Sequence, residues 1–329
     1  MAILPSVPKG RDGIVDAVKG FGIILVVLGH LLQYQVVPEA FDENQAYRVI
    51  YSFHMPLFFL LSGYVVHVKE DFRRFVFSKS LSLLLPFFFY FLAFNCRFDL
   101  LRFMVELPML LWRPQGGLWF LYVMFWVSFF HALIVAVEEK RARYMSAVAI
   151  LAILLAARKS FGADYIAYYL AFYFIGTWLS EARVRAHYEA WSFLGRARAV
   201  IFLLVFWALF FVFWQRTSSI AGAAMPQMII VKFMCGLFGS LLCWTMVREV
   251  IARNRFGLRF FSWIGTFTLP IYAIHFEVLP LYDHVGLFVF PLCVAVPIAV
   301  GLLARRHWLL DLVLCGKRPT PSALKSRAL

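Results

Sequence analysis

The chain has 329 residues, of which 63% are hydrophobic and 15% charged, with 37 phenylalanines. Soluble domains carry about 25% charged residues, so this composition excludes a water-soluble core and indicates an all-α, polytopic integral membrane protein. The net charge of +14 does not indicate nucleic acid as a partner, because the basic residues fall in short loops between apolar runs.

The first apolar run contains Asp16-Ala17-Val18-Lys19-Gly20 and ends on Gly29-His30. Lys19 and His30 are eleven residues apart, which at about 100° per residue is three turns plus about 20°, so both lie on one helix face. Along the axis they are about 16 Å apart. Asp16 lies one turn before Lys19, and Gly20, Gly22 and Gly29 flatten the surface so that another helix or a ligand can come close. Ionisable groups inside a span mark functional sites by default. The plainer alternative is a boundary lysine paired with Asp16, and an interfacial histidine without chemistry.

Apolar runs at approximately 14–35, 48–67, 80–96, 117–137, 143–157, 165–181, 199–214, 227–247, 264–282 and 286–304 predict ten spans near the roughly 20-residue length of a membrane crossing. The ninth holds Pro270 and Pro280, so a kink or a break is expected there. With the N-terminus inside, inner segments hold 23 of the 32 Lys and Arg residues and outer segments hold 7. That asymmetry predicts two cytoplasmic termini. Lys19 then sits near the inner end of the first span and His30 in its outer third. Ser52 and His54 enter the second span from outside, at the depth of His30.

Two outer segments are expected as loops. Residues 36–47 carry Glu39, Asp42 and Glu43, and residues 97–116 carry Trp112, Arg113 and Gln115. Aromatic rings beside amide and charged groups suit a sugar; the alternative for Trp112 and Trp119 is the interfacial aromatic belt. Glu181 to Arg198 reads as a basic interfacial helix. The five cysteines are scattered, with neither disulfide nor zinc spacing, and no metal is expected. The expected division is a cytoplasmic N-terminal segment 1–13, a transmembrane domain 14–305 and a basic cytoplasmic tail 306–329, disordered from Lys317.

A charged nucleotide end resting on inner cations and a long arm reaching His30 describe a coenzyme A thioester. His30 would act as general base on an acceptor hydroxyl. No Gly-x-Ser-x-Gly elbow is present for a serine nucleophile.

Asp16-x-x-Lys19-Gly20 followed by Ile23-Ile24-Leu25-Val26-Val27-Leu28-Gly29-His30 resembles the opening helix of the acyltransferase 3 family. Phe53-His54-Met55-Pro56-Leu57-Phe58-Phe59-Leu60-Leu61-Ser62-Gly63-Tyr64 resembles its second helix. Leu118-Trp119-Phe120-Leu121, Phe174-Ile175-Gly176 and the stretch Ile264 to His275 resemble later landmarks, so the resemblance covers roughly residues 11–305. The family's Arg, ten residues, then His appears here with Lys19 in the Arg position, as in the fucose-O-acetylase-like branch. Lysine keeps the charge but loses bidentate recognition. The basic run after the second helix is thinner than the family's, with Arg73, Arg74 and Lys79 present and the next cation missing.

The resemblance implies a membrane-bound O-acyltransferase of the bacterial cytoplasmic (inner) membrane, with acetyl-CoA as donor. The acceptor implied is a cell-surface, exopolysaccharide or lipid-linked sugar. His30 and His54 are the implied catalytic pair, and Lys19, Arg73, Arg74 and Lys79 the donor contacts. Asp16, Trp112, Arg113, Trp119 and His275 are the acceptor-side candidates. Expected partners are acyl-CoA, a sugar or glycolipid, the lipid bilayer, and a second copy of the chain or polysaccharide assembly machinery. The alternative function is a transporter with His30, His54 and Lys19 as a proton or anion relay; inverted repeats would favour it, and none is evident. A structural membrane protein is the third reading.

Overall fold

The computed structural model describes residues 12–36, 42–66, 71–114, 118–157, 160–214, 226–279 and 286–317. The expectations on Glu39, Gln115, Pro280, the first eleven residues and the tail beyond residue 317 lie outside the described residues.

Among the described residues every regular element is a helix. α1 (Gly13–Leu31) starts where the Asp12 carboxylate accepts the Ile14 and Val15 amides at 2.9 and 3.3 Å, satisfying donors that a helix start leaves open. Its last turn opens into a π-helical turn, Leu32–Val36. α2 (Gln45–Tyr64) is capped by Asn44, which accepts the Tyr47 amide at 3.0 Å.

α3 (Phe72–Lys79) runs through a π turn into α4 (Leu85–Tyr90) and a second π turn, making one 24-residue rod, Phe72–Asn95. The third span therefore begins at Phe72, not at residue 80, and Arg73, Arg74 and Lys79 sit on a helix instead of a loop. Their long side chains tolerate helical geometry well. The stretch 97–116 is likewise not an open loop. Asp99 caps α5 (Leu100–Trp112) by accepting the Leu101 and Arg102 amides at 2.9 and 3.1 Å, and Arg102 pairs with Glu106 one turn on at 2.7 Å.

α6 (Trp119–Val135), α7 (Lys140–Ala156) and α8 (Ala163–Leu179) follow. The basic stretch 181–198 is two elements, α9 (Ala182–Glu189) and the start of α10 (Phe193–Phe211). The break falls at Ser192, whose hydroxyl accepts the Gly195 amide at 3.1 Å and starts the second helix. α11 (Pro226–Met246) ends in a π turn, Val247–Ile251. The expected ninth span, 264–282, takes in only the last two residues of α12 (Arg255–Gly265); after a break at Thr266 and Phe267 its described part is α13 (Thr268–Val278). Pro270 is the third residue of α13, where the missing amide has no intrahelical partner to lose, so it opens a helix instead of kinking one. α14 (Phe290–Ala304) and α15 (Trp308–Cys315) complete the set, so part of the expected tail is helical, ending at Gly316 with φ +64°. A left-handed residue there closes the helix at no steric cost.

Among the described residues, four helical stretches are long and apolar enough to cross a membrane: Gly13–Tyr34, Phe72–Asn95, Phe193–Phe211 and Gln227–Ile251. Trp119–Val135 and Phe290–Ala304 are apolar but shorter. None of the α10 residues is buried, and Ile201, Phe202, Val205 and Leu209 are all exposed. Such a surface suits lipid and not water.

The chain divides into two compact units. The first comprises residues 1–66, 167–268 and 282–291, and the second 67–166, 269–281 and 292–329. In the first unit, Val15, Ala17 and Val18 of α1, Phe53, Leu57 and Leu61 of α2, and Cys243 and Val247 of the α11 rod form a buried cluster. In the second, Tyr90 donates to the Leu314 carbonyl at 2.9 Å, tying α4 to α15, and the Phe120 amide donates to the Tyr272 hydroxyl at 3.2 Å, tying α6 to α13.

Candidate active site

Two helices of the first unit hold Lys19, His30 and His54, α1 carrying Lys19 and His30 and α2 carrying His54. α1 crosses α12 closely enough that a Cβ on Gly20 would overlap the Phe261 carbonyl oxygen, and one on Gly265 would overlap that of Asp16. Small residues at such crossings let backbones meet, which fixes the axial position of α1. Ser262 of α12 adds a bond, donating to the Gly13 carbonyl at 2.6 Å.

Asp16 is buried, and its Oδ1 lies 3.9 Å from the Lys19 Nζ, whose side chain keeps 23% of its exposure. That distance is a long ion pair. It holds the ammonium at the helix face without enclosing it. His30, on the same face, is partly buried. Its ring lies 6.3 Å from that of Tyr34 and 6.0 Å from that of Tyr51, the latter edge-on.

His54 is buried on α2, and its Nδ1 lies 2.9 Å from the Ile50 carbonyl. A carbonyl only accepts, so Nδ1 carries the proton and Nε2 is the basic nitrogen. Its ring meets Tyr51 at 4.7 Å, again edge-on. Tyr51 thus lies between the two histidines. Ser52 is a packing residue, accepting Trp207 Nε1 at 3.2 Å from α10 and donating to the Val49 carbonyl at 2.7 Å.

The other candidates lie in the second unit. Arg73 and Arg74 are exposed on α3, and Lys79 is partly buried with its Nζ 5.5 Å from the Phe75 ring centre. Trp112 ends α5 and packs edge-on against Phe161 at 5.0 Å, and Arg113 beside it is exposed. Trp119 opens α6 with its ring 5.1 Å from that of Tyr165. His275 is fully buried on α13, its Nδ1 2.7 Å from the Ile271 carbonyl. Lys19, His30, His54 and Asp16 therefore share one unit, and Arg73, Arg74, Lys79, Trp112, Arg113, Trp119 and His275 share the other.

Tyr47, Tyr51 and Gln33 are the members of the first cluster that the sequence did not single out. Tyr47, Tyr51 and His54 recur at i, i+4 and i+7, a spacing that puts three rings on one face of α2. Tyr47 and Tyr51 stack at 3.9 Å, and the Tyr51 hydroxyl donates to Gln33 Oε1 at 2.9 Å.

The chain matches the family described as an acyltransferase domain over residues 12–305. It is also similar to nodulation protein NolL of Mesorhizobium japonicum, with 38% identity over 91 residues, 26% of this chain and 24% of that protein. Nodulation protein NolL of Sinorhizobium fredii is 39% identical over 102 residues, 27% of this chain and 28% of the relative. The matched stretch thus spans about a quarter of the length of these curated relatives. No solved structure matches the chain.

Proposed function

Given that the chain belongs to the acyltransferase domain family, we propose that it is a membrane-bound O-acyltransferase. It moves an acyl group, acetyl by resemblance, from cytoplasmic acyl-CoA to a hydroxyl of a cell-surface, exopolysaccharide or lipid-linked sugar. The observation that carries this reading is His30, partly buried on the Lys19 face of α1, with the Tyr51 ring in contact both with it and with His54.

In the proposed reaction the imidazole of His30 takes the proton of the acceptor hydroxyl as its oxygen attacks the thioester carbonyl. The carbon–sulfur bond then breaks, and the coenzyme A thiolate leaves with the proton that His30 gives back. An ester and free coenzyme A result, and the histidine is restored. His54 orients the acceptor through Nε2, its Nδ1 being committed to the Ile50 carbonyl of its own helix. Lys19, Arg73, Arg74 and Lys79 hold the donor phosphates, Lys19 as a point charge. Asp16 sets the Lys19 ammonium, and Trp112, Arg113, Trp119 and His275 are assigned to the acceptor. The accompanying topology is ten crossings of the bacterial inner membrane with both termini cytoplasmic, which puts His30 in the outer leaflet.

Loss of a positioned base typically costs about 10²- to 10⁴-fold in rate. His30→Gln should therefore insert and bind acetyl-CoA normally while losing transfer to that extent. Near-normal turnover of purified, donor-saturated His30→Gln would refute the mechanism.

A further inference from the structure

We infer that Tyr51 is a positioning residue that sets the orientation of the His30 imidazole, an assignment that rests on His30 being the base. The Tyr51 ring stands edge-on to His30, with ring centres 6.0 Å apart and planes at 83°. Edge-to-face packing at this separation is a directional contact, because a ring edge is electropositive and a ring face electronegative. The Tyr51 ring is itself held from several sides. Tyr47 stacks on it at 3.9 Å, His54 meets it at 4.7 Å, and its hydroxyl donates to Gln33 at 2.9 Å.

Two features of α1 make room for this arrangement. Gly29, directly before His30, has no side chain where Tyr51 lies: a Cβ there would come within 2.9 Å of Tyr51 Cε2 and 3.3 Å of Ile50 Cγ2. Gln33 lies in the π turn that ends the helix, three residues beyond His30. A π turn widens the helix and shifts the side chains that follow, and such turns recur at functional sites. One tyrosine of α2 is thus fastened to α1 on both sides of His30, by a steric slot at residue 29 and a hydrogen bond at residue 33. A general base must come within about 2.6–3.2 Å of the oxygen whose proton it removes, and an imidazole whose orientation is not fixed meets that condition only part of the time. Fixing its neighbour narrows the choice.

The test combines enzyme kinetics with a chemical readout of His30 itself. Tyr51→Phe keeps the ring and removes the hydroxyl, and Gln33→Met keeps the length and removes the acceptor. Each should lower kcat about fivefold, the population shift that one net hydrogen bond sets, with the KM for acetyl-CoA unchanged. The double variant should be no worse than either single one, because both break the same bond. Carbethoxylation of His30 by diethylpyrocarbonate, followed on its peptide by mass spectrometry in lipid nanodiscs, should change about fivefold in rate in the same variants. Unchanged labelling of His30 in Tyr51→Phe, or losses that simply multiply in the double variant, would overturn the inference and leave the base assignment intact. Turnover retained by His30→Gln would remove the base assignment, while the labelling rates would still decide whether Tyr51 orients the ring.

Discussion

Replacing Gly20 with alanine sets two effects of similar size against each other. Alanine in a helix interior is favoured over glycine by about 1 kcal/mol, so helix propensity alone predicts a more stable α1. The structure predicts the reverse. The new methyl would overlap the carbonyl oxygen of Phe261 and lie 2.9 Å from the Gly265 nitrogen. Those are backbone atoms of a packed helix and cannot rotate aside, so α1 and α12 must separate. Overpacking of this kind costs about 1–3 kcal/mol with flexible neighbours, and backbone neighbours place Gly20→Ala at the upper end. After the gain in propensity, the expected net loss is about 2 kcal/mol. In a scan of the purified protein, read as the fraction still eluting as folded particles after heating, the midpoint should fall by about 3 °C. Gly195→Ala is the control. A Cβ there meets nothing closer than 3.5 Å, and the amide that Ser192 accepts is retained, so its midpoint should hold or rise. A Gly20→Ala protein as stable as wild type would refute the close α1–α12 crossing.

Lys19→Ala is expected to weaken acetyl-CoA binding, and Lys19→Arg to retain much of it, as read by isothermal titration with detergent-solubilised protein; unchanged affinity in Lys19→Ala would remove Lys19 from the donor site. A cysteine placed at Glu43 should react with an impermeant maleimide added to intact cells. Reaction only after permeabilisation would invert the proposed orientation and move His30 to the inner leaflet.

Much of this protein is legible in its sequence because the relevant physics is local. Apolar runs between basic loops mark the helices, and Asp12, Asn44, Asp99 and Ser192 mark helix starts through bonds to amides two or three residues away. The eleven-residue spacing of Lys19 and His30 places both on one face of α1 through helical geometry alone. Tertiary structure decided what depends on neighbours distant in the chain. The ninth apolar run begins at the end of a separate helix, α12, whose Gly265 meets the backbone of α1 before the chain breaks at Thr266 and Phe267. The third run lengthens to include Arg73, Arg74 and Lys79 because a helix continues wherever its backbone bonds are met, whatever the hydropathy of its first turns. Within the expected outer loop, Leu100–Trp112 forms a helix with its own cap and ion pair. Above all, nothing in the spacing of α1 or α2 taken singly indicates that Tyr51 would enter the gap at Gly29 and bond Gln33. Side-chain order within one helix follows from its period, whereas the pairing of faces between helices follows from packing, which only the folded chain determines.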